Sequence, residues 1–431
     1  MKIKFVQNFI NIIIGKKRLS INFVDIQKKY KIQIKKLSKK LKKGQKIKVA
    51  FLHMYATDIQ NLCIFEKMLE SDIFDPYFIV NPDVSRSKEN FDFVYNKAKK
   101  ELINTYGKDR VLDGYDYRTN KFIDFTKNFD IATTNNPYDG MAHKYYKIKY
   151  WARKKVPLFY ISYFYMGRCF VSIQNLCSDE YSCFWKFFAE NDNVLNMAKK
   201  YQKIKGQNVV VAGCPKLDNL AKIKTIEKKR KMIIVAPHHT IDDDEKSVGG
   251  FLQYSDELLK IVKKYKNVDF VFRPHPLLFE NLRTKYWGKE KSEKYLEDLL
   301  ANENVKYSTE GDYQTLFVNS DALIHDCGSF SAEYLCIGKP CAYFYKKGIN
   351  PEKIWTDFGK GCINQHYLIH NSEELNSFIK NIVIDGQDYK KQDRELFANK
   401  YIKVNFPNSA DVIYKNLISS FSEEECEERI S

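Results

Sequence analysis

Three stretches in the second half of the chain decide the fold. Residues 231–240 read KMIIVAPHHT, residues 268–276 read VDFVFRPHP and residues 321–330 read DALIHDCGSF. Each is a short apolar run that ends in a polar turn, which is the pattern of a buried strand in a parallel sheet. Helical patterns separate the runs, and strands that alternate with helices predict right-handed βαβ units.

The same rhythm extends outward in both directions. The predicted strands lie at residues 46–53, 74–80, 131–134, 158–165, 208–212, 232–236, 268–272, 321–324 and 341–345. The predicted fold class is therefore α/β, with two doubly wound, Rossmann-like domains that face a cleft. We predict an N-terminal domain over 45–204, a C-terminal domain over 205–400, and a closing helix with an acidic tail over 401–431.

The N-terminal segment differs from this body in charge. The chain of 431 residues has a formal net charge of +17, yet residues 1–48 hold 16 basic residues against Asp25 alone, which leaves +2 for the rest. From Asp25 to Leu41 apolar residues recur at helical spacing, and the opposite positions are mostly Lys. Residues 1–44 are therefore predicted to form a basic amphipathic arm that binds an anionic membrane surface. The alternative is a solvated helix whose apolar stripe packs on its own protein.

Composition excludes several classes of protein. With 44% hydrophobic and 15% aromatic residues the chain can bury a large core, so it is not a disordered protein. No apolar run reaches the length that spans a bilayer, and residues 5–14 lack the cleavage site of a secretory signal. The ten cysteines form no Cys-x-x-Cys pair, which disfavours a zinc ribbon. Arg is scarce and the arm lacks interleaved aromatic residues, so nucleic acid is the less favoured partner.

Chemically reactive residues follow the predicted strands. His238 and His239 follow the strand at 232–236, His275 follows 268–272, and His325 follows 321–324; Lys216 stands in the turn after the strand at 208–212. Ligands of open parallel sheets bind outside the carboxyl ends of the strands. We therefore expect these side chains to meet in one cleft.

The residue types in this set suit a phosphorylated ligand. Arg273 and Lys216 can neutralise phosphate oxygens. Gly328 and Ser329 lead into a predicted helix, where free N–H groups favour an anion. Glu333 can accept hydrogen bonds from ribose hydroxyls, and His275 can donate a proton to a leaving phosphate. Other roles stay open here: Ser329 as a helix N-cap, and His238 and His239 with Asp242 to Asp244 as either a metal site or the entry to an acid-capped helix.

At these motifs the chain resembles the CDP-glycerol glycerophosphotransferase family, which includes teichoic-acid polymerases and primases. The family's Gly-x-Pro-Arg-x-Asp turn is matched by residues 213–218, with Lys216 in place of Arg, and its Ala-Pro-Thr segment is matched by Ala236, Pro237 and His238. The family's Arg-x-His-Pro motif is matched by residues 273–276. Its Asp-Tyr-Ser-Ser-x-x-x-Asp signature is matched by residues 326–333. The resemblance covers residues 205–400 well and the first half poorly. It implies a GT-B fold and a transfer of glycerol phosphate from CDP-glycerol with release of CMP.

The resemblance also implies roles for individual residues. By analogy Arg273 and the catalytic His275 hold the donor phosphates, Ser329 binds the pyrophosphate and Glu333 the ribose; the nucleotide site would further include Lys216, Pro237, His238, His239, His325, Asp326 and Gly328. The chain departs from the family where a Trp-His-Gly-Thr-Pro motif supplies the general base, because residues 160–165 read YISYFY. His53, at the end of the first strand, and His143 are the available replacements, and His53 is preferred.

The predicted function is a transferase of surface-polysaccharide or teichoic-acid-like polymer synthesis. Its predicted partners are a CDP-activated donor, a lipid- or glycan-linked acceptor and an anionic membrane surface, without nucleic acid, metal or cofactor. The predicted location is the cytoplasm, at the inner face of the cell membrane. Two alternatives stay open: a CMP-sialic-acid-type GT-B glycosyltransferase, and a non-enzymatic nucleotide- or nucleic-acid-binding protein that works through its basic arm.

Overall fold

The first of two parallel sheets is built from the N-terminal half of the chain. A computed structural model describes residues 21–56, 58–242, 247–309 and 313–422. Seven parallel strands take the order β3-β2-β1-β6-β7-β8-β9. Their bounds are Ile47–His53 (β1), Phe74–Val80 (β2), Val111–Asp113 (β3), Ile131–Thr134 (β6), Leu158–Ile161 (β7), Lys186–Ala189 (β8) and Val209–Val211 (β9). A small antiparallel hairpin joins Tyr115–Asp116 (β4) to Lys121–Phe122 (β5).

The second sheet comes from the C-terminal half. Its six parallel strands take the order β12-β11-β10-β13-β14-β15. Their bounds are Lys231–Ala236 (β10), Val268–Phe272 (β11), Val305–Tyr307 (β12), Ala322–His325 (β13), Cys341–Phe344 (β14) and Tyr367–Ile369 (β15). Because β10 lies between β11 and β13, the three stretches that open the sequence analysis are neighbours in space.

Helices connect the strands in both halves. In the first half the α-helices are Phe23–Lys42, Ile59–Leu69, Lys88–Tyr106, Ile148–Arg153, Cys169–Cys177, Asp179–Cys183 and Asp192–Tyr201. In the second they are Pro215–Asp218, Phe251–Lys264, Leu278–Asn281, Gly288–Leu300, Gln314–Asn319, Phe330–Glu333, Pro351–Ile354, Asp357–Asn364, Ser372–Ser377, Lys391–Phe397 and Ser409–Ser419. Single 3₁₀ turns occupy Lys108–Arg110, Lys144–Tyr146, Asn219–Lys222 and Tyr334–Ile337, and π-helical turns occupy Leu282–Tyr286, Phe378–Ile384 and Ala398–Ile402.

The α/β class and the two parallel sheets are confirmed, but the predicted domain boundary needs correction. The strand predicted at 208–212 pairs with β8 as the last strand of the first sheet, and its bounds are Val209–Val211. The boundary between the sheets therefore falls after Val211 and not at residue 205. Gly213 follows at φ +89°, where a Cβ atom would lie 2.0 Å from the carbonyl oxygen of Val404. The chain thus turns into the second half at a point that only glycine fits.

The C-terminal helix crosses back to the first half. Ile413 and Leu417 of helix Ser409–Ser419 are buried in the same hydrophobic cluster as Phe51 of β1 and Phe65 of helix Ile59–Leu69. Burial of these side chains ties the end of the chain to its first sheet. The acidic tail predicted beyond this helix lies at residues 423–431, outside the described part of the chain.

The basic N-terminal helix is present, but its apolar stripe does not face outward. Ile26, Tyr30, Ile34 and Leu37 of helix Phe23–Lys42 are buried against the N-terminal half, and the Tyr30 hydroxyl donates to the carbonyl oxygen of Cys183 at 2.8 Å. The stripe packs on its own protein, which is the alternative that the sequence left open, and binding of residues 1–44 to an anionic membrane surface stays a prediction. Residues 1–20 of the predicted arm lie outside the described residues. Among the described helices, none is long and apolar enough to cross a bilayer.

Candidate functional site

The carboxyl ends of β10, β11 and β13 form one edge of the second sheet, which we call the donor-side edge after the role that the sequence predicts for Arg273 and His275. Backbone hydrogen bonds join the loops that leave these strands: Arg273 N–H donates to Val235 at 2.8 Å, and His275 N–H donates to Pro237 at 2.9 Å. Pro237 is buried and so acts here through its carbonyl oxygen. The two loops that carry the histidines are thus held side by side at one sheet edge, as the sequence predicted.

Asp326 joins the loop that follows β13 to the loop that follows β10. Its fully buried carboxylate accepts from the His238 N–H at 2.5 Å, the Gly250 N–H at 2.7 Å and the Tyr254 hydroxyl at 2.6 Å. Burial raises the pKa of Asp326 to about 6 against the opposing effect of these hydrogen bonds. With its oxygens engaged in this way, Asp326 positions the His238 loop.

Three histidines converge at this edge. His238, His239 and His275 are half-buried, and each offers a ring nitrogen such that all three nitrogens lie within 4.8 Å of one another. The His239 and His275 ring centroids are 3.9 Å apart, and those of His238 and His275 are 5.1 Å apart. We call these three residues the histidine cluster.

A backbone hydrogen bond sets the tautomer of His275, because its Nδ1 accepts the Leu277 N–H at 3.2 Å. Nδ1 of His238 lies 3.3 Å from the Thr240 N–H and 2.8 Å from the Thr240 hydroxyl, which can donate or accept. A neutral imidazole whose Nδ1 accepts must carry its proton on Nε2. His275 therefore offers an Nε2–H donor to this region, and Nδ1 of His239 is buried without a hydrogen-bond partner.

Burial lowers the pKa of each histidine of the cluster and so favours the neutral imidazole. Burial, followed by repulsion from His239, lowers the pKa of His275 to about 4. Burial also lowers the pKa of His238, with further contributions from His239, His275 and Arg168, and the pKa of His239 is lowered chiefly by burial. A bound phosphate would reverse these shifts, since a nearby negative charge favours the imidazolium.

Three imidazoles are also a ligand set of the kind that binds zinc. In His275, however, Nδ1 already accepts a backbone N–H group, so the nitrogen left for a metal is the one that carries the proton. This hydrogen bond favours donation by His275 to an anion over binding of a cation.

An arginine from the N-terminal half completes this edge and was missed from sequence. Arg168 follows β7, and a Cβ atom on Gly328 would lie 3.0 Å from its Cδ. Its charge contributes to the lowered pKa values of His238 and His239. A guanidinium in this place suits phosphate recognition, because its donors form a planar fork. The available signal was the position of Arg168 in the loop that follows a predicted strand, one of only eleven arginines in the chain.

A close interdomain contact places Arg168. The Thr356 N–H donates to the carbonyl oxygen of Gly167 at 2.9 Å, and the Thr356 hydroxyl donates to the same oxygen at 3.1 Å. Arg168 forms a β-bridge with Trp355. A Cβ atom on Gly359 would lie 2.1 Å from the Gly167 oxygen, so the two chain segments touch through their backbones. We call residues 166–168 and 355–359 the interdomain clasp.

Gly328 and Ser329 stand where the sequence placed them, at the turn after β13. The predicted helix at 330–337 divides into α-helix Phe330–Glu333 and a 3₁₀ turn. The Ser329 side chain makes no capping hydrogen bond, which excludes the N-cap role. Both residues are half-buried, and Gly328 lies beside Arg168 because it has no side chain.

Lys216 and Glu333 hold each other. The Lys216 ammonium lies 2.6 Å from Glu333 Oε1 and 2.7 Å from the Tyr163 carbonyl oxygen, and the Tyr313 hydroxyl donates to Glu333 Oε2 at 2.6 Å. Glu333 is 1% exposed. Burial disfavours the ammonium charge, but Glu333 outweighs it and raises the pKa of Lys216. Both Glu333 oxygens are engaged, so ribose binding by Glu333 and phosphate binding by Lys216 stay predictions that would require this network to open.

His325 and Arg273 also have partners within the protein. His325 is fully buried, with Nε2 3.0 Å from Nε2 of the buried His366. Arg273 donates to the Ser308 hydroxyl at 2.9 Å, and its guanidinium carbon lies 5.9 Å from the centre of the Tyr313 ring. His325 thus lies beneath the edge, whereas Arg273 is half-buried beside it.

The carboxyl ends of β1, β6 and β7 form an edge of the first sheet that is arranged differently, which we call the acceptor-side edge because the predicted general base His53 lies there. His53 ends β1 but is only 1% exposed, and burial lowers its pKa to about 3. His143 stacks on Phe122 with centroids 3.7 Å apart. The role of His53 as general base stays a prediction, and its burial would have to be relieved for direct contact with a substrate.

A cavity of about 860 Å³ opens at this acceptor-side edge. Its wall combines residues that follow β1, β6 and β7 with Lys216, Tyr313 and neighbouring residues of the C-terminal half. Asp58 is part of the wall, and its Oδ2 lies 3.4 Å from Nδ1 of His53. The cavity thus lies between the two halves, as expected of the cleft.

The comparisons with known proteins agree with this architecture. The family model for CDP-glycerol:poly(glycerophosphate) glycerophosphotransferase matches residues 173–419, which is more than half of the chain. Among curated proteins, none matches this sequence.

Solved structures share the fold at low sequence identity. UDP-GlcNAc 2-epimerase from Neisseria meningitidis, bound to UDP-GlcNAc, is 14% identical with a TM-score of 0.56, over 86% of this chain and all of that one. The wall teichoic acid polymerase TagF is 13% identical with a TM-score of 0.55, over 98% of both chains. A variant of TagF soaked with CDPG is similar at a TM-score of 0.53. These matches establish the GT-B fold, and the family match establishes the chemistry: this chain belongs to the CDP-glycerol:poly(glycerophosphate) glycerophosphotransferase family and is a transferase of the class that uses CDP-glycerol.

Proposed function

We propose that this protein transfers glycerol phosphate, or a related polyol phosphate, from a CDP-activated donor to a lipid- or glycan-linked acceptor during synthesis of a surface polymer. One observation carries the proposal: the histidine cluster, Arg168 and the Gly328–Ser329 turn meet at the donor-side edge. Neutral imidazole N–H groups and one guanidinium form a site for a pyrophosphate.

In the proposed transfer, one bond forms and one bond breaks at the same phosphorus atom. The acceptor oxygen forms a new P–O bond to the phosphorus that bears glycerol, while the bridging P–O bond to CMP breaks. CMP carries away the bonding electron pair. His275, with its proton on Nε2, stabilises this charge or donates the proton to the departing phosphate. The neighbouring pyrophosphate raises the pKa of His275 from about 4, which makes a charged acid available only when donor is bound.

The other site residues take supporting roles in this proposal. Arg168 and Arg273 neutralise phosphate oxygens, and the backbone N–H groups around Gly328 and Ser329 receive the pyrophosphate. His239 adds an imidazole nitrogen without a hydrogen-bond partner in the protein. Asp326, Pro237 and His325 hold the loops in register from beneath.

The N-terminal helix gives a physical reason to place the enzyme at a membrane surface. Its outward face carries exposed lysines at helical spacing, Lys28, Lys31, Lys35, Lys39 and Lys42, which we call the lysine ridge. Such residues gain about 1 kcal/mol each near an anionic lipid surface. Since the apolar stripe of this helix is buried, the proposed attachment is electrostatic and reversible, at the inner face of the cell membrane.

Calorimetric titration with CDP, CMP and UDP tests the nucleotide assignment. We expect tighter binding of CDP than of UDP, and loss of CMP release from CDP-glycerol in His275→Ala. A preference for UDP would contradict the cytidine assignment. Turnover of CMP-sialic acid in place of CDP-glycerol would favour the glycosyltransferase alternative, and binding of nucleic acid without turnover of either donor would favour the non-enzymatic one.

A further inference from the structure

The cavity at the acceptor-side edge contains a carboxyl group that the donor chemistry does not use. Asp58 lines this cavity and is only 2% exposed. It directly precedes helix Ile59–Leu69, where an Asp usually caps the helix through its side chain. Here the side chain makes no capping hydrogen bond, so the usual structural reason for Asp at this position does not apply.

Side chains hold the Asp58 carboxyl in place from behind the cavity wall. The Asn61 side-chain amide lies 3.0 Å from Oδ1 and 2.9 Å from Oδ2, and Nδ1 of His53 lies 3.4 Å from Oδ2. The side chains of His53 and Asp58 are both only 1% exposed, and of the two only Asp58 belongs to the cavity wall. A buried carboxyl that is fixed in orientation and borders an open volume has the geometry of a catalytic base.

The rest of the wall suits the hydroxyl-bearing end of a polyol or sugar. Beside Asp58, the acceptor-side wall presents neutral side chains: Asn135, Asn136, Tyr138, Tyr163 and Met141. The Tyr138 and Tyr163 hydroxyl oxygens lie 3.1 Å apart. Phenol and amide groups around apolar carbon surface form a typical small-molecule site.

We propose that this cavity is the acceptor site and that Asp58 is the base that removes the proton from the acceptor hydroxyl. This inference rests on the proposed transferase function and adds to it the acceptor half, which lacks the family's general-base motif. The acceptor O–H bond breaks and its proton passes to a carboxylate oxygen of Asp58. The acceptor oxygen forms the bond to the glycerol-bearing phosphorus, and the bond from that phosphorus to CMP breaks. Asp58 then returns the proton to solvent.

The titration of the groups around the cavity makes this assignment testable by pH. Burial raises the pKa of Asp58 to about 8, with hydrogen bonds from Asn61 and Asn135 opposing the shift. Burial lowers the pKa of the adjacent His53 to about 3, and burial raises that of Cys63, one turn along the helix, to about 11. The pKa values of the facing Tyr55, Tyr163, Tyr313 and Lys216 are all raised from their usual high values; Lys222 also lines the cavity. A base acts in its ionised form, so transfer should rise with pH through about 8.

Asp58→Asn tests the proposal at constant shape. We expect transfer from CDP-glycerol to glycerol 3-phosphate to fall at least about 100-fold, as on loss of a general base, and the limb near pH 8 to disappear. The Kd for CDP should stay within twofold of the unaltered protein. Transfer by Asp58→Asn within threefold of the unaltered protein at pH 7–9 would overturn the assignment.

Two further measurements separate the base from a structural carboxyl. Asp139→Asn is the matched control, because Asp139 is buried in the same half and burial raises its pKa to about 6. Asp139 accepts a hydrogen bond from the Ile148 N–H at 2.6 Å and is not part of the cavity wall. We expect this variant to keep the pH limb. If Asp58→Asn fails to fold, the unaltered protein still decides, because a transfer rate that does not rise between pH 7 and 9 overturns the proposal. Absence of CDP binding, or of any transfer by the unaltered protein, counts against the proposed function instead.

Discussion

The donor-side and acceptor-side edges are built by the same kind of parallel sheet, yet the histidines at the two edges differ in burial. At the donor-side edge His238, His239 and His275 are half-buried and converge on one region. At the acceptor-side edge His53 is covered by Phe78 and Asp58 and does not reach the cavity. The position of a residue at a strand end is therefore not sufficient for function; what packs over the side chain decides.

The difference follows from the chemistry that each edge faces. A pyrophosphate carries several negative charges, and imidazole N–H groups and a guanidinium can donate hydrogen bonds to its oxygens. An acceptor hydroxyl is neutral and must lose a proton, which a buried carboxyl with a raised pKa can take near neutral pH. On this account each edge uses burial, at one to hold imidazoles neutral and at the other to raise the pKa of a carboxyl.

The largest expected effect comes from the donor-side edge. His275→Ala removes the imidazole N–H next to the leaving phosphate, so CMP release from CDP-glycerol should slow by about 100- to 10,000-fold. The rate of CMP release is measured by chromatography of samples quenched at successive times. His370→Ala is the control, because His370 pairs with Glu374 on the surface, outside the cluster. Equal rates for the two variants would remove His275 from the mechanism.

Arg168→Ala should weaken the same edge by a smaller amount. Loss of hydrogen bonds to a charged group costs about 1.5–3 kcal/mol, so CDP affinity measured by calorimetry should fall by roughly 10- to 100-fold. The affinity of the variant should also depend less on salt. Arg153→Ala changes an exposed arginine of the same half and should bind CDP normally. An unchanged Kd for Arg168→Ala would show that the N-terminal half contributes nothing to the donor site.

The interdomain clasp offers an indirect way to move Arg168. In Gly359→Ala the new Cβ atom would lie 2.1 Å from the Gly167 carbonyl oxygen, so the backbones must separate. We expect a loss of stability of about 1–3 kcal/mol and a fall in turnover of about tenfold. Thermal unfolding and CMP release measure the two effects. Gly140→Ala, with no atom within 4 Å of the added Cβ, is the control; a Gly359→Ala variant that matches it would show that the contact is loose.

The smallest expected effect on catalysis comes from the lysine ridge. Reversing Lys31, Lys35 and Lys39 to Glu should release the protein from anionic liposomes in a sedimentation assay, since each lysine contributes about 1 kcal/mol there. Turnover of soluble substrates should stay within about twofold. Reversal of the exposed Lys97, Lys100 and Lys108 is the control with the same charge change. Equal release by both sets would mean that net charge, and not the ridge, attracts the protein to lipid.

The sequence predicted several strands well because most of their positions are buried. The bounds of β2, β6 and β11 agree with those predicted; β6 is buried throughout, and β2 and β11 are buried except at Asp75, Tyr77 and Asp269. Strands such as Val305–Tyr307 were missed, since three residues are too few to show a period. The assignment of Val209–Val211 to the wrong sheet has a similar cause: a run of three valines shows a strand but not its neighbour.

The site was predictable only as far as it follows strand ends. His238, His239 and His275 were found because β10 and β11 are adjacent and parallel. Arg168 belongs to the N-terminal half and is placed at the donor-side edge by the interdomain clasp. Asp58 directly precedes a helix, which is a common position for Asp without a catalytic role. Neither carries a periodic signal, because both depend on contacts between segments that are far apart in sequence. For the same reason the Lys216–Glu333 pair, 117 residues apart, was not foreseen.

The most direct test of the central claim is a balance of products from CDP-glycerol labelled in the glycerol group, with and without an acceptor hydroxyl. We predict that mass spectrometry finds CMP and a glycerol phosphodiester of the acceptor in a one-to-one ratio, and that both products form at least about 100-fold more slowly with His275→Ala. Release of the label as free glycerol, or label transfer without CMP, would contradict attack at the glycerol-bearing phosphorus and the role assigned to the histidine cluster.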